Sequence, residues 1–308
     1  MTKKLKGSLL LLLAAIIWGT AFVAQSEGMN YVEPFTYNAV RTLLGGIVLV
    51  PVVFIAERFR NRSETEADKK ASLKTTVTGG SICGIFLFLA SSLQQSGISM
   101  TTAGKAGFIT SLYIIIVPLI EFVLLKRSSL KIWLNVLLAA AGFYLLCIGE
   151  GFKISRGDIL VLFSALFFAF HIIIVDFFNK KNTNGILMSC IQFFTAGLLM
   201  AVSMFIFEKP SLNAVLNARY TILYAGVMSC GIAYTFQIAG QRNTPPATAT
   251  LIMSRESVFA ALSGWLLLGE KLSAKELSGC VLVFAAVIIA QLVPDYAVRS
   301  QNKKQSKS

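Results

Sequence analysis

Apolar residues in this chain are gathered into long blocks that are separated by short polar segments. A helix needs roughly 20 mostly apolar residues to cross a ~30 Å hydrocarbon core. Ten blocks reach about that length, at residues 5–26, 35–57, 75–95, 102–125, 132–149, 158–178, 186–207, 219–240, 246–268 and 275–293. The pattern therefore predicts an all-α integral membrane protein with ten transmembrane helices.

The ten predicted spans fall into two sets of five with the same rhythm. In each set a long connection follows the second span, the third and fourth spans are joined tightly, and a short charged turn precedes the fifth. Five crossings reverse the orientation of the second set, which predicts two inverted repeats, a layout of secondary transporters. We assign residues 1–149 to the first repeat, 150–296 to the second and 297–308 to a basic tail.

The charge of the chain follows its predicted topology. Only 14% of its 308 residues are charged and the mean hydropathy is +0.70, whereas soluble domains carry roughly 25% charged residues. Of the 28 Lys and Arg residues, 19 lie in segments on the N-terminal side and six on the opposite side. Positive charge marks cytoplasmic loops, so we expect both termini in the cytoplasm of a plasma-membrane protein. The net charge of +13 then reports orientation in the lipid bilayer, and no nucleic-acid partner is expected.

Reactive and metal-binding residues are scarce. The five cysteines are dispersed in apolar spans without a Cys-x-x-Cys spacing, and one histidine cannot form a metal cluster. We therefore predict packing cysteines and no metal or cofactor. Gly104-Lys105 lacks the preceding glycine of a phosphate-binding loop, so ATP hydrolysis is not expected.

Two adjacent charges lie deep in the ninth predicted span. Arg255 and Glu256 are nine or ten residues from its start, about 14 Å deep at 1.5 Å per residue. A charge at that depth costs at least ~2.5–3.5 kcal/mol, so both should face the protein interior. Arg255 is a candidate for binding a substrate carboxylate and Glu256 for a proton or an amine. A buried charge network that locks the helix to its neighbours is the alternative.

For each of the other polar residues inside the predicted spans, a functional role and a structural role are both possible. Arg41, about 9 Å deep in span 2, either lines an outer vestibule or bonds backbone carbonyls. His171 either handles protons or is a hydrogen-bonded packing residue. Gln94, Gln95 and Gln237, in the counterpart spans 3 and 8, either bind substrate or tie helices together. Tyr113, Tyr37 and Trp18 either supply an apolar binding wall or are membrane-facing or packing aromatics.

Clusters of small residues recur in the predicted spans, notably at Gly45-Gly46, Gly79-Gly80 with Gly84, and Ala139 to Gly142. Small residues let helices approach closely in membranes. These clusters fit tight packing within the chain, sliding surfaces or the contact of a homodimer.

Trp18-Gly19-Thr20 in span 1 resembles the opening motif of the EamA-type transporters of the drug/metabolite transporter superfamily. Arg41 matches an arginine common in the second span of that family. Residues 255–262 and 268–272 resemble its Glu-Pro-Val-Phe-Ala-Ala-Leu and Leu-Gly-Glu-Arg/Lys-Leu patterns. Ser257 replaces the motif's proline, which predicts a straighter span 9, and Arg255 replaces an apolar residue.

The resemblance implies two EamA-like units that move small organic metabolites, often outward. The expected function is thus a secondary transporter and exporter of amino acids or related amphipathic compounds. It would work by alternating access, driven by a proton or solute gradient. An integral-membrane enzyme and a non-transporting scaffold are the alternatives, and dispersed carboxylates with a single histidine disfavour the enzyme.

Overall fold

The computed structural model describes residues 3–58, 66–125, 155–181 and 183–292, together with residues 137, 138, 141, 142, 144 and 145. These residues are helical apart from short turns and end segments, and no strand occurs among them. The described part of the chain is therefore all-α.

Five helices whose bounds are described belong to the first half of the chain. They are α1 (Lys3–Gly28), α2 (Pro34–Arg58), α3 (Glu66–Ile98), α4 (Ala103–Thr110) and α5 (Tyr113–Leu125). The second half begins with α6 (Arg156–Asn179) and α7 (Gly185–Phe207). It continues with α8 (Leu212–Asn217), α9 (Arg219–Leu223), the π-helix α10 (Tyr224–Ala233), α11 (Tyr234–Gln241), α12 (Pro246–Met253), α13 (Glu256–Leu268) and α14 (Ala274–Leu292).

Within the described residues, eight helical segments are long and apolar enough to cross a membrane, at Leu5–Gly28, Pro34–Arg58, Lys69–Ile98, Ala103–Val123, Arg156–Asn179, Gly185–Phe207, Arg219–Gln241 and Thr248–Leu268. They coincide with predicted spans 1–4 and 6–9. The fifth span falls mostly outside the described residues, as does the basic tail. Helix α14 covers most of the tenth. The ten-span layout and its division into two repeats remain predictions.

Helices from one half of the chain pack mainly against helices from the other. Helix α3 lies against α6 and α7, α2 packs on α7 and α10, and α13 packs on α1 and α4. Close approach depends on small residues. A Cβ atom at Gly19 would lie 2.3 Å from the Cβ atom of Phe259 on α13. The core is therefore an interface between the two halves.

The predicted glycine clusters on α2 and α3 lie at these contacts. A Cβ atom at Gly45 would lie 2.4 Å from Cys230 Cβ, and one at Gly80 would lie 2.7 Å from Ile191 Cβ. The four described cysteines are buried and free. Packing within the chain thus accounts for these residues, and a homodimer remains a prediction.

Two carboxylates from the second half bind helix N-termini of the first half. After α13, Gly269 has φ = 65°, a conformation that favours glycine, and the chain turns back. Glu270 then accepts hydrogen bonds from the backbone N–H of Ala103 at 2.7 Å and Gly104 at 3.0 Å, in the first turn of α4. Such carboxylates satisfy free N–H donors and complement the helix dipole.

Glu208 has the same role at the end of α7. Its two carboxylate oxygens accept from the backbone N–H of Phe35 at 2.7 Å and of Thr36 at 2.6 Å, and from the Thr36 hydroxyl at 2.7 Å. Both capped N-termini lie on the side opposite the chain's N-terminus. On the same side, Lys105 of α4 pairs with Glu276 of α14 at 2.6 Å.

Spans 4 and 9 are each broken into two helices, which sequence analysis did not predict. Pro118 lies inside span 4, where a proline indicates a kink, but the span breaks earlier, at Ser111, and α5 begins at Tyr113. Span 9 breaks between Met253 and Glu256 although Ser257 replaces the motif's proline. The expectation of a straight span 9 was therefore wrong.

Candidate functional site

The breaks in spans 4 and 9 have the same local geometry. The Ser111 hydroxyl donates to Phe108 O at 2.8 Å, and the Ser254 hydroxyl donates to Leu251 O at 3.0 Å. In each break, the residue at the third position after the serine donates its backbone N–H to the serine carbonyl. Serine hydroxyls that bond a carbonyl of the preceding turn tend to bend helices. Each break therefore places a helix end and a helix start inside the bundle.

A cavity lies beside the two breaks. The cavity is open to one side. The space between its wall atoms, including solvent at the opening, is about 480 Å³. Helices of both halves line it. The lining residues are Trp18, Phe22, Gln25, Arg41, Gln94, Thr110, Tyr113, Phe168, Ile172, Ser229, Tyr234, Gln237, Met253 and Glu256. Five of the seven site residues predicted from the sequence thus meet in one place.

Six lining residues form three pairs that are each separated by 143 positions. The pairs are Gln94 with Gln237, Thr110 with Met253, and Tyr113 with Glu256. The same offset relates α4 to α12 and α5 to α13 in both bounds and length. The cavity therefore has matching positions from the two halves on its wall, with different side chains at two of the three pairs.

Arg41 supplies a buried positive charge to the cavity. Its side chain is 4% exposed, and its Nε donates to Asn38 Oδ1 at 2.8 Å. The guanidinium also lies 5.7 Å from the ring centroid of Tyr37. Among the described residues it forms no salt bridge. A guanidinium in this setting can bind the carboxylate or phosphate oxygens of a ligand.

Glu256 supplies a carboxylic group to the same cavity as the first residue of α13. It is 4% exposed, and its Oε1 atom has no hydrogen-bond partner among the described residues. The Tyr113 hydroxyl is near Glu256, but it does not meet hydrogen-bond geometry with Glu256 or with any other described residue. The pair thus retains polar atoms for a proton, a water molecule or a ligand amine.

The two cavity glutamines have different partners. Gln94 Nε2 donates to the Thr110 hydroxyl at 3.1 Å, which ties α3 to α4. The equivalent of Thr110 in the second half is Met253, which has no hydroxyl. In the first half, the Thr110 hydroxyl accepts from Nε2 of Gln94. As a separate feature, Gln237 Oε1 is buried without a partner among the described residues. A buried polar atom without a partner is costly, so Gln237 is a candidate for binding a ligand or an ordered water molecule.

His171 and Arg255 lie outside the lining of the cavity. His171 is 1% exposed, lies 2.9 Å from Gln192 Oε1 through Nε2, and meets the ring of Tyr234 edge-on. Arg255 is half-buried at the break, where its guanidinium donates to Leu251 O at 3.4 Å. Of the two adjacent charges in span 9, only Glu256 reaches the cavity.

Of the aromatic residues that line the cavity, sequence analysis named Trp18 and Tyr113 but missed Tyr234, and it also missed Phe22 and Gln25. Trp18 and Tyr234 have ring centroids 4.8 Å apart at 66° and form an aromatic wall. The spacing of Trp18, Phe22 and Gln25 places them on one helix face, and Tyr234 precedes Gln237 by one turn. This periodicity was the available signal, but it is common in packed helices and does not single out a cavity.

Comparison with known proteins agrees with this architecture. A protein whose crystal structure is known superposes with a TM-score of 0.66 over 93% of this chain and 96% of its own, at 18% identity, which shows a shared fold. An uncharacterized transporter of Archaeoglobus fulgidus is 32% identical over 94% of this chain and 87% of its own length.

The uncharacterized inner membrane transporter YedA of Escherichia coli K12 is 27% identical over 89% of this chain and 87% of its own length. The model of the EamA-like transporter family matches residues 5–148 and again residues 155–291. With its apolar helices and these two matches, the chain is a multi-pass membrane transporter that belongs to the EamA-like transporter family.

Proposed function

We propose that this transporter exports small amphipathic metabolites, such as amino acids or related compounds, and binds them in the cavity. The observation that carries the proposal is the meeting of two buried ionisable groups, Arg41 and Glu256, in one cavity. No salt bridge joins them in the described part of the chain. Uncompensated ionisable groups inside a membrane are costly and typical of substrate or proton pathways.

A zwitterion matches the groups on the cavity wall. Arg41 would bind the substrate carboxylate through charge-assisted hydrogen bonds, and Glu256 would bind the ammonium group. Trp18 and Tyr234 would contact the apolar part of the substrate. Gln237 Oε1, which lacks a partner among the described residues, would accept one further hydrogen bond. The cavity would thus favour molecules that carry both charges and an apolar side chain.

Glu256 also offers a means of coupling to a proton gradient. A carboxylate that binds a substrate amine cannot at the same time be protonated. Competition between the proton and the substrate at Glu256 would exchange one for the other across the membrane. Such exchange needs no ATP, in agreement with the missing phosphate-binding loop.

The proposed mechanism is alternating access by two inverted five-helix repeats within the plasma membrane. The three residue pairs at a spacing of 143 support a repeat relationship around the cavity. Discontinuous helices at corresponding positions of the two halves are typical binding sites of secondary transporters. Both termini would lie in the cytoplasm, because the basic segments cluster on that side.

The test is transport by purified protein in liposomes. A panel of labelled amino acids, amines, carboxylates and sugars would be measured with and without an imposed pH gradient. We expect zwitterionic compounds to move fastest and their transport to respond to the gradient. Glu256→Gln should abolish the response to the gradient, and Arg41→Gln should raise the KM for carboxylate-bearing substrates.

Two results would contradict the proposal. One is that no compound in the panel moves faster than in liposomes without protein. The other is that folded Glu256→Gln and Arg41→Gln proteins transport a confirmed substrate with unchanged KM, rate and pH dependence.

A further inference from the structure

Arg41, which lines the cavity, is hydrogen-bonded to a buried asparagine. Asn38 lies one helical turn before Arg41 on α2 and is fully buried. Its Oδ1 accepts from Arg41 Nε at 2.8 Å, and its Nδ2 donates to the backbone carbonyl of Ser91 on α3 at 2.8 Å. The side chain thus connects Arg41 to a second helix.

Both partners of Asn38 fix the orientation of its amide. Arginine Nε can only donate a hydrogen bond, and a backbone carbonyl can only accept one. The amide oxygen must therefore face Arg41, and the amide nitrogen must face Ser91. Asparagine satisfies both neighbours at once, which neither a carboxylate nor an aliphatic side chain of similar size does.

Because Asn38 is neutral, its hydrogen bond to Arg41 leaves the positive charge of the guanidinium uncompensated. The bond to Asn38 is the guanidinium's one hydrogen bond to a described residue, and it uses Nε alone. The two Nη groups remain for the cavity that Arg41 lines. A neutral partner at Nε fixes the direction of the guanidinium without reducing its attraction for an anion.

We propose that Asn38 is a positioning residue that makes the cavity select substrates with a carboxylate, by orienting Arg41 without neutralising it. This inference rests on the proposed function. Asn38 itself does not line the cavity, so its effect passes through Arg41. An aspartate at position 38 would pair with Arg41 and compete with the substrate carboxylate, and it would lose the donor to Ser91.

The test compares two probes, L-phenylalanine and 2-phenylethylamine, which differ by one carboxylate. Their affinities for the purified full-length protein are measured by isothermal titration calorimetry. Wild type should bind L-phenylalanine at least about tenfold more tightly, as expected for one charge-assisted hydrogen-bonded contact. Asn38→Asp should bring that ratio close to one by weakening L-phenylalanine, with the amine bound as well as before or better.

Asn38→Ala is the second variant, and Arg41→Gln is the reference for complete loss of the charge. Asn38→Ala should lower the ratio to a value between those of wild type and Arg41→Gln. It decides the question if Asn38→Asp does not fold, as judged by gel filtration and tryptophan fluorescence. A general loss of structure would weaken both probes alike and leave the ratio unchanged.

An unchanged ratio in the folded variants, or no carboxylate preference in wild type, would overturn the role of Asn38. The proposed transport function would stand in either case if the liposome panel still reveals a substrate. If no compound is transported but the ratio behaves as expected, the transport proposal fails and the role of Asn38 in carboxylate binding stands.

Discussion

Tyr113 and Glu256 are equivalent residues, each the first residue of the second helix of a broken span, and both line the same cavity. One half of the chain thus contributes a phenol where the other contributes a carboxylic group. The backbone frame repeats around the cavity, but the charge does not. Any ligand in the cavity would meet a different chemical group on each side.

The first prediction separates the two adjacent charges of span 9. Glu256→Gln should reduce transport of a confirmed substrate at least about tenfold, because Glu256 lines the cavity with an unpartnered oxygen. Arg255→Ala should change transport less than about threefold, because Arg255 points to the carbonyl of Leu251. Initial rates in proteoliposomes with equal amounts of protein would measure both effects.

The comparison between these neighbours controls for local disturbance of α13. Both substitutions remove one charge at the same break, so a purely structural effect should appear in both variants. A larger loss in Arg255→Ala than in Glu256→Gln would show that the cavity is not the transport site.

The spans were predictable because each needs a long apolar block, but the cavity was not. Arg41 and Glu256 are far apart in the chain, so the sequence does not show that they share a cavity. Residue matches between the two halves are also too few to align one half with the other. Adjacent residues on a helix point about 100° apart, so sequence alone could not decide whether Arg255 or Glu256 faces inward. The structure places Arg41 at the cavity instead of Arg255.

The broken helices were missed for a related physical reason. Pro118 was the visible signal for a bend, but the break lies at Ser111, whose hydroxyl bonds a backbone carbonyl. Serine makes such bonds in many straight helices, so it is a weak signal by itself. Only the recurrence of the geometry at Ser254 identifies the break as a feature of both halves.

The second prediction concerns the contact between α1 and α13. An added Cβ atom at Gly19 would lie 2.3 Å from Phe259 Cβ and 2.8 Å from Glu256 O. Gly19→Ala should therefore force the helices apart, at a cost of about 1–3 kcal/mol for overpacking. The apparent melting temperature of the purified protein should fall, and transport should fall with it because α13 carries Glu256.

Gly231→Ala is the matched control, since the nearest atoms to its added Cβ would lie 3.6 Å away. This variant should melt near the wild-type temperature or slightly above it, because alanine favours helix more than glycine. Equal melting temperatures for the Gly19 and Gly231 variants would refute a tight contact at Gly19.

The third prediction tests the carboxylate of the Leu-Gly-Glu motif. Glu270→Gln removes the negative charge at the N-terminus of α4 and leaves one oxygen for the two N–H groups of Ala103 and Gly104. The expected loss of stability is about 1–2 kcal/mol. Lys271→Gln is the control, because Lys271 is the exposed neighbour of Glu270. This variant should leave the apparent melting temperature nearly unchanged. A similar loss in both variants would indicate that the cap does not stabilise the fold.

The fourth prediction concerns Glu208, which binds the N-terminus of α2 as Glu270 binds that of α4. It compares variants that remove different numbers of these hydrogen bonds. Its carboxylate accepts three hydrogen bonds at the start of α2, one of them from the Thr36 hydroxyl. Thr36→Ala removes that bond alone and should cost about 0.5–1.5 kcal/mol. Glu208→Ala removes all three and leaves two backbone N–H groups without an acceptor, so it should lower the apparent melting temperature more.

Glu208→Gln should fall between these two variants, because one amide oxygen can still accept from the helix end. Lys209→Ala, which changes the exposed neighbour of Glu208, is the control for altering the segment after α7. The order Lys209→Ala, Thr36→Ala, Glu208→Gln, Glu208→Ala from smallest to largest loss is the expected result. Thr36→Ala and Glu208→Ala could instead lower the apparent melting temperature equally. The bond from the Thr36 hydroxyl, rather than the bonds from the backbone N–H groups, would then dominate this contact between α2 and α7.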